Sequence, residues 1–204
     1  MALSKIDVAN MVTGAVPVAN GGTALTSGTS GQFLKFTGST TLASAAGGGI
    51  SMADQWRVTA SFTGDADPIS SNWERNDTDF AQIGTGLTES SGNFTFPSTG
   101  IYKIEFQHQG TTENNNPARF NEAKIRVTTN NSSYNSRAIA SSLGITTGGG
   151  NGQFTSYCSC IVDVTDTANV KFRVSVDTAD NGTSTIGASD KIYTGFTVIR
   201  LGDT

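Results

Sequence analysis

From Trp56 onward, apolar side chains recur at every second position, and this period of two restricts the fold more than any other feature of the chain. Trp56, Val58, Ala60 and Phe62 fall on one side, with Arg57, Thr59, Ser61 and Thr63 on the other. Such alternation marks a strand with one face buried. Tyr102, Ile104 and Phe106 alternate with Lys103, Glu105 and Gln107. Ala123, Ile125 and Val127 oppose Lys124, Arg126 and Thr128. Phe154, Ser156, Cys158, Cys160, Val162 and Val164 form a long stripe, and Val170, Phe172, Val174 and Val176 repeat it. Residues 79 to 83 and 137 to 140 are weaker strand candidates. The stretch from Lys191 to Leu201 is apolar on both faces, which predicts a central strand covered on both sides. Apolar residues keep helical spacing for no more than a turn. About eight to ten strands in roughly 150 residues predict an all-β, antiparallel two-sheet sandwich.

Composition agrees and adds an organisation. Gly, Ser, Thr and Asn supply 90 of the 204 residues, while 36% are apolar and 15% charged. Thr, Val, Ile and aromatic residues suit strands, and Gly and Asn suit turns. Residues 1 to 55 carry only four charged side chains, and the remainder carries 26. With Phe33 and Phe36 as its aromatic anchors, the first segment cannot enclose a core of its own. Such a segment is either a disordered leader or an extended Gly/Thr-rich N-terminal stretch, 1 to 53, ordered by packing on other chains. The second is expected, and a sandwich domain, 54 to 204, follows it. A net charge of -4 without a basic run argues against nucleic-acid binding. No secretory apolar stretch opens the chain, and no run of 18 apolar residues exists to predict membrane insertion.

The chemistry-bearing residues are few. His108 is the one histidine, and the stripe before it ends at Phe106, so an exposed or loop-edge imidazole is expected. No serine or acid is singled out as its partner, and no catalytic residue is assigned. Cys158 and Cys160 lie two apart on a strand and point the same way, which disfavours a disulfide and reads as free core thiols. The absence of a disulfide framework suits assembly in a reducing cytosol. Too few Cys and His residues are present for structural zinc. Asp65 with Asp67, and Asp77 with Asp79, are paired carboxylates that could hold a cation or serve as glycosidase acids, but they read first as solvated turn acids. No cofactor or metal is assigned. The Gly runs at 47 to 49 and 148 to 150 lack the Lys-Ser/Thr of a phosphate loop. The sequons at Asn76, Asn93, Asn130, Asn131 and Asn181 follow from high Asn and Thr content. Trp56 reads as core, whereas Trp73 and Tyr134 read as loop-side aromatics able to stack on sugars.

Two stretches resemble known families. Phe94-Thr-Phe-Pro-Ser-Thr-Gly-Ile-Tyr-Lys-Ile-Glu-Phe106 and Tyr193-Thr-Gly-Phe-Thr-Val-Ile-Arg-Leu201 resemble strands of the tumour necrosis factor (TNF) and complement globular-head jelly rolls, and residues 161 to 174 resemble their penultimate hairpin. That resemblance implies a ten-stranded, TNF-like jelly roll forming a homotrimer, with the last strand near the threefold axis and Tyr102 and Phe196 close to subunit contacts. Val16-Pro-Val-Ala-Asn-Gly-Gly-Thr-Ala-Leu-Thr-Ser27, followed by Gly31-Gln-Phe-Leu-Lys35, is similar to segments of bacteriophage tail fibres and related virion appendages, with Ala24 where Gly is usual.

The two resemblances together imply a noncatalytic virion structural protein, assembled in the host cytoplasm. Residues 1 to 53 would contact other virion proteins of the capsid, tail or neck, and the head would project outward toward host-surface glycans. A short tail or neck fibre used in host attachment and a capsid decoration protein on the head shell both fit. From another class, a carbohydrate-binding or hydrolytic module remains an alternative.

Overall fold

The computed structural model describes residues 30, 32 to 38, 41 to 46, 49 to 113, 118 to 145, 150 to 179 and 182 to 204. The tail-fibre-like motif at 16 to 27 and the sequon at Asn181 lie outside them. The chain divides after Gly49. In the first unit, β1 (Gln32–Phe36) and β2 (Leu42–Ala46) form an antiparallel hairpin. Phe33, Leu34 and Phe36 are exposed, because a two-stranded ribbon has no second layer to cover them.

The second unit, Ile50–Thr204, is a two-layer antiparallel β structure. One sheet runs in spatial order through β10 (Asn135–Gly144), β9 (Ala118–Thr128), β12 (Lys171–Thr178), β7 (Asn93–Thr95) and β6 (Thr88–Ser90). The other runs through β4 (Phe62–Thr63), β13 (Ser184–Thr185), β8 (Gly100–Thr111), β14 (Gly195–Gly202), β3 (Ala53–Val58) and β5 (Trp73–Arg75), with β11 (Gln153–Val164) on the far side of β8. No helix occurs among the described residues. Alternation set the strand positions well: β8 and β11 are each 12 residues long and pair along their whole length. Twelve short and long strands replace the eight to ten expected, because several two- and three-residue pieces carry no legible period. Residues 79 to 83 contribute only an isolated bridge from Ile83 to Ala53. The weak candidate at 137 to 140 belongs to the longer edge strand β10.

Two turns explain local sequence choices. β6 and β7 are joined by Ser91 and Gly92, both at positive φ (49° and 78°), the two-residue hairpin geometry whose twist matches that of the flanking strands. Gly100 opens β8 at φ 144°, and a Cβ there would run into the Arg200 side chain and the Gly202 carbonyl.

Between the sheets, Phe94 of β7, Phe172 of β12 and Phe196 of β14 meet with ring centroids 4.6 to 5.3 Å apart. Trp56 and Trp73 close on Phe94 from the opposing sheet at 5.4 Å each. Around this knot lie Val58, Ile104, Phe106, Ile125, Val127, Val174 and Val198, all buried. A buried carboxylate ties the margin down. Asp54 accepts hydrogen bonds from Trp56 Nε1 (3.0 Å), Arg75 Nε (2.9 Å) and the backbone N–H groups of Leu87 (2.8 Å) and Gln55 (2.9 Å). One charge is thereby satisfied by β3, β5 and the chain leading into β6. Removing it leaves Arg75, Trp56 and Leu87 donors unpaired. Asp54→Ala should therefore lower the unfolding free energy by about 3–5 kcal/mol, whereas the exposed Asp163→Ala should leave it nearly unchanged; urea denaturation of both variants checks this.

Candidate functional site

The inward residues of both sheets are spent on the core, and the two outward faces of the described sheets differ in chemistry. On the larger sheet, Gln55, Thr197, Glu105 and Ser159 line up across β3, β14, β8 and β11, with Ile199, Lys103 and Ile161 in the next row. Lys103 Nζ contacts Glu105 Oε1 at 2.7 Å, and the Tyr157 hydroxyl donates to the same oxygen at 2.7 Å. Lys103 and Tyr157 together hold the Glu105 carboxyl below its usual range. The only charges in these rows thus neutralise each other. Tyr157, Ile161 and Leu201 are nevertheless 52%, 66% and 54% exposed. Gly195, lacking a side chain, opens a shallow cavity of about 180 Å³ beside Gln107 and Tyr157.

The five-stranded sheet presents a charged face. Asp67 accepts from Arg126 and from Ser175 Oγ (2.7 Å), and Arg173 lies 3.2 Å away. Lys124 bridges Glu122 and Asp177 at 2.8 and 2.9 Å. Burial and the positive charge of Arg173 both push the Arg126 guanidinium below its ordinary value. Arg126 also donates to the Tyr134 carbonyl at 2.9 Å, and the Arg173 guanidinium sits 4.3 Å above the Tyr134 ring. The turn that carries Tyr134 is built by side chains: Asn130 Oδ1 accepts from the N–H groups of Ser132 and Ser133, and Thr128 Oγ1 accepts from those of Asn130 and Ser132. Next to Tyr134 opens a cavity of about 350 Å³ whose other walls are Lys171, Arg173, Asn131 and the β6–β7 hairpin residues Ser90, Asn93 and Thr95.

The described residues singled out in the sequence have defined places within the subunit. Tyr102 and Phe196 are buried inside the subunit: the Tyr102 hydroxyl bonds the Ser98 carbonyl at 3.0 Å, and Phe196 belongs to the aromatic knot. The positions beside them that face outward are Lys103 and Thr197. Trp73 is a strand residue rather than a loop residue; its ring packs on Phe94 and Phe196, and its Nε1–H donates to the Ile69 carbonyl at 2.7 Å. Tyr134 is therefore the aromatic of that pair that lines a cavity. Asp65 accepts from Thr178 N–H and Oγ1, Asp67 serves Arg126, and Asp77 serves Arg57 at 2.6 Å. These acids are anchors of the loops to the sheets. Among the described residues no cluster of three His, Cys, Asp or Glu side chains is placed to hold a metal. Cys158 and Cys160 are free, and burial pushes the Cys158 thiol up to about 12.

His108 is the clearest correction. Strand β8 continues to Thr111, so the inward series Tyr102, Ile104, Phe106 extends to His108, which is fully buried rather than at a loop edge. Its Nε2 lies 3.0 Å from Thr185 Oγ1, and its ring meets Phe154 edge-on at 5.3 Å. Polar residues within an alternating stripe give little warning of such burial.

No family model matches the sequence, and no curated protein matches it. Solved structures do. Eiger TNF from S. frugiperda superposes with a TM-score of 0.54 at 12% identity, covering 75% of this chain and 94% of that one. Murine APRIL at pH 5.0 superposes with a TM-score of 0.54 at 9% identity, covering 74% of this chain and 98% of the other. The fold is a TNF-like jelly roll. At these identities the likeness is one of architecture, and function has to be argued from the faces of this particular head.

Desolvation lowers His108 from 6.5 to about 4. A histidine held neutral in the fold but free to protonate when unfolded makes the unfolded state bind more protons between these values. The TNF-like head should therefore be most stable above about pH 6.5 and lose on the order of 3 kcal/mol as pH falls toward about 4. Denaturation at stepped pH should show that slope, and His108→Gln should flatten it.

Proposed function

We propose that this chain is a noncatalytic structural protein whose TNF-like head assembles as a homotrimer, carried on a bacteriophage particle as a projecting appendage. The observation that carries the assembly is the two-sided apolar pattern of β14. Phe196 and Val198 point into the core, while Ile199 is half-buried and Leu201 exposed on the outward side. One subunit covers only half of what the sequence prepares for burial. Ile161 and Tyr157 on β11 extend the same face, where Lys103 and Glu105 neutralise each other and Asp163 stands at the margin. A ring of three needs two different patches, because its contacts are heterologous. Ile139 and Leu143, exposed on the edge strand β10, supply the second. Another copy of this chain is thus the occupant that fits.

The appendage reading is supported by residues 16 to 35, which resemble tail-fibre segments, standing ahead of a compact head. A segment of low charge and high Gly/Thr content can lie along other virion proteins, while the head projects and presents its charged face three times over. Threefold repetition converts weak surface contacts into avidity.

Sedimentation equilibrium of the intact chain should give three times 21.2 kDa. Ile161→Asp buries a charge at the contact and should shift the population to monomers while the β-sheet circular dichroism stays intact. A monomeric parent chain would sink the assembly reading. Cryo-electron microscopy of particles locates the protein: a few copies at the tail or neck support an appendage, and copies spread over the shell support decoration.

A further inference from the structure

We propose that the cleft beside Tyr134 on the five-stranded sheet binds a carboxylate-bearing saccharide, such as a uronate or sialate unit. The cleft is concave, about 350 Å³, at the small end of the roughly 300–1,000 Å³ range of ligand sites. Its charge is unbalanced. The two charged side chains that line it, Lys171 and Arg173, are both cations; behind the wall Arg173 has to share the Asp67 carboxylate with Arg126, and Lys171 forms no ion pair among the described residues. Arg173 Nε is buried without a hydrogen-bond partner there. A cationic cluster in which Arg173 already depresses Arg126 gains from an added negative charge.

The remaining lining selects the rest of the ligand. Asn93 and Asn131 offer amides that both donate and accept, and Ser90 and Thr95 offer hydroxyls, a set suited to a ring bearing several hydroxyl groups. Tyr134 adds an aromatic wall that the Arg173 stack and the Arg126 hydrogen bond hold in place. The Thr128–Asn130 turn fixes the same rim before any ligand arrives, which reduces the ordering cost of binding. A nucleic-acid strand needs a basic track along its phosphates, and this cleft is a single pocket in a chain of net charge -4. The site stands within one subunit and does not depend on how heads assemble.

The test is calorimetric titration of the intact chain with tetragalacturonate, its neutral methyl ester, trimeric α2,8-linked sialic acid and inorganic phosphate. At least one of the two acidic oligosaccharides should bind, and the ester should bind about tenfold or more weaker, as expected for loss of one charge-assisted contact. Lys171→Gln should weaken the acidic ligand by a similar factor with an unchanged melting temperature, whereas Lys103→Gln on the opposite sheet should not. No binding of either acidic saccharide, equal binding of acid and ester, competition by phosphate as strong as by the saccharide, or indifference to Lys171→Gln would each overturn the assignment.

Discussion

The meeting of Phe94, Phe172 and Phe196 holds the head together, and most other features follow from it. These three rings come from β7, β12 and β14, so a single contact joins both sheets at the centre of the sandwich. Phe94 and Phe172 stack nearly parallel at 22°, while Phe196 meets both edge-on, the arrangement that sets ring edges against ring faces. β7 is only three residues long and has little hydrogen bonding to fix its register. Burial of Phe94 fixes it instead, since a slip of one residue would turn Phe94 to solvent and Asn93 or Thr95 into the core. The same register places Asn93 and Thr95 on the outer surface, at the Tyr134 cleft. The packing of one ring thus sets the lining of a site on the other side of the sheet.

Charge follows a related logic. Asp54, Arg57 and Arg75 are drawn into the margin of the larger sheet, where each is matched: Asp54 by Arg75 and Trp56, Arg57 by Glu74 and Asp77. The exposed rows of that sheet keep the Lys103–Glu105 pair and, on β11, Asp163. On the smaller sheet, Arg126 and Arg173 lie directly opposite each other in register, a placement that repels unless an anion sits between them. Asp67 reaches across to serve both. Its single carboxylate leaves the cluster cationic once Lys171 is included.

Much of this was legible in the sequence where strands were long. The stripes at 102 to 106, 123 to 127, 154 to 164 and 170 to 176 locate β8, β9, β11 and β12, because a period of two needs several repeats to stand out. β4, β5, β6, β7 and β13 have two or three residues each and cannot show a period. His108 and Thr185 were missed because their polar side chains break an apolar stripe while still pointing inward, where His108 Nε2 meets Thr185 Oγ1. Trp73 looked like a loop residue for the same reason: the strand beneath it is three residues long. The paired acids could not be assigned from spacing alone, since their partners Arg57, Arg126 and Thr178 lie tens of residues away in sequence.

The last strand shows how a fold and its use separate. Alternation predicts one buried face, yet the sequence from Tyr193 to Leu201 is apolar on both. Within one subunit β14 lies between β8 and β3, and its inward side chains alone complete the core. Nothing in the stability of a lone head requires Ile199 and Leu201 to be apolar; polar residues there would suit water better. Their presence is a property of the surface rather than of the sandwich. The outer row of the smaller sheet, with Arg126, Arg173 and Lys171, departs from the apolar face of the other sheet in the opposite chemical direction. The same jelly roll can therefore carry an apolar contact on one sheet and a polar, cationic cleft on the other, each set by side chains that the core does not use.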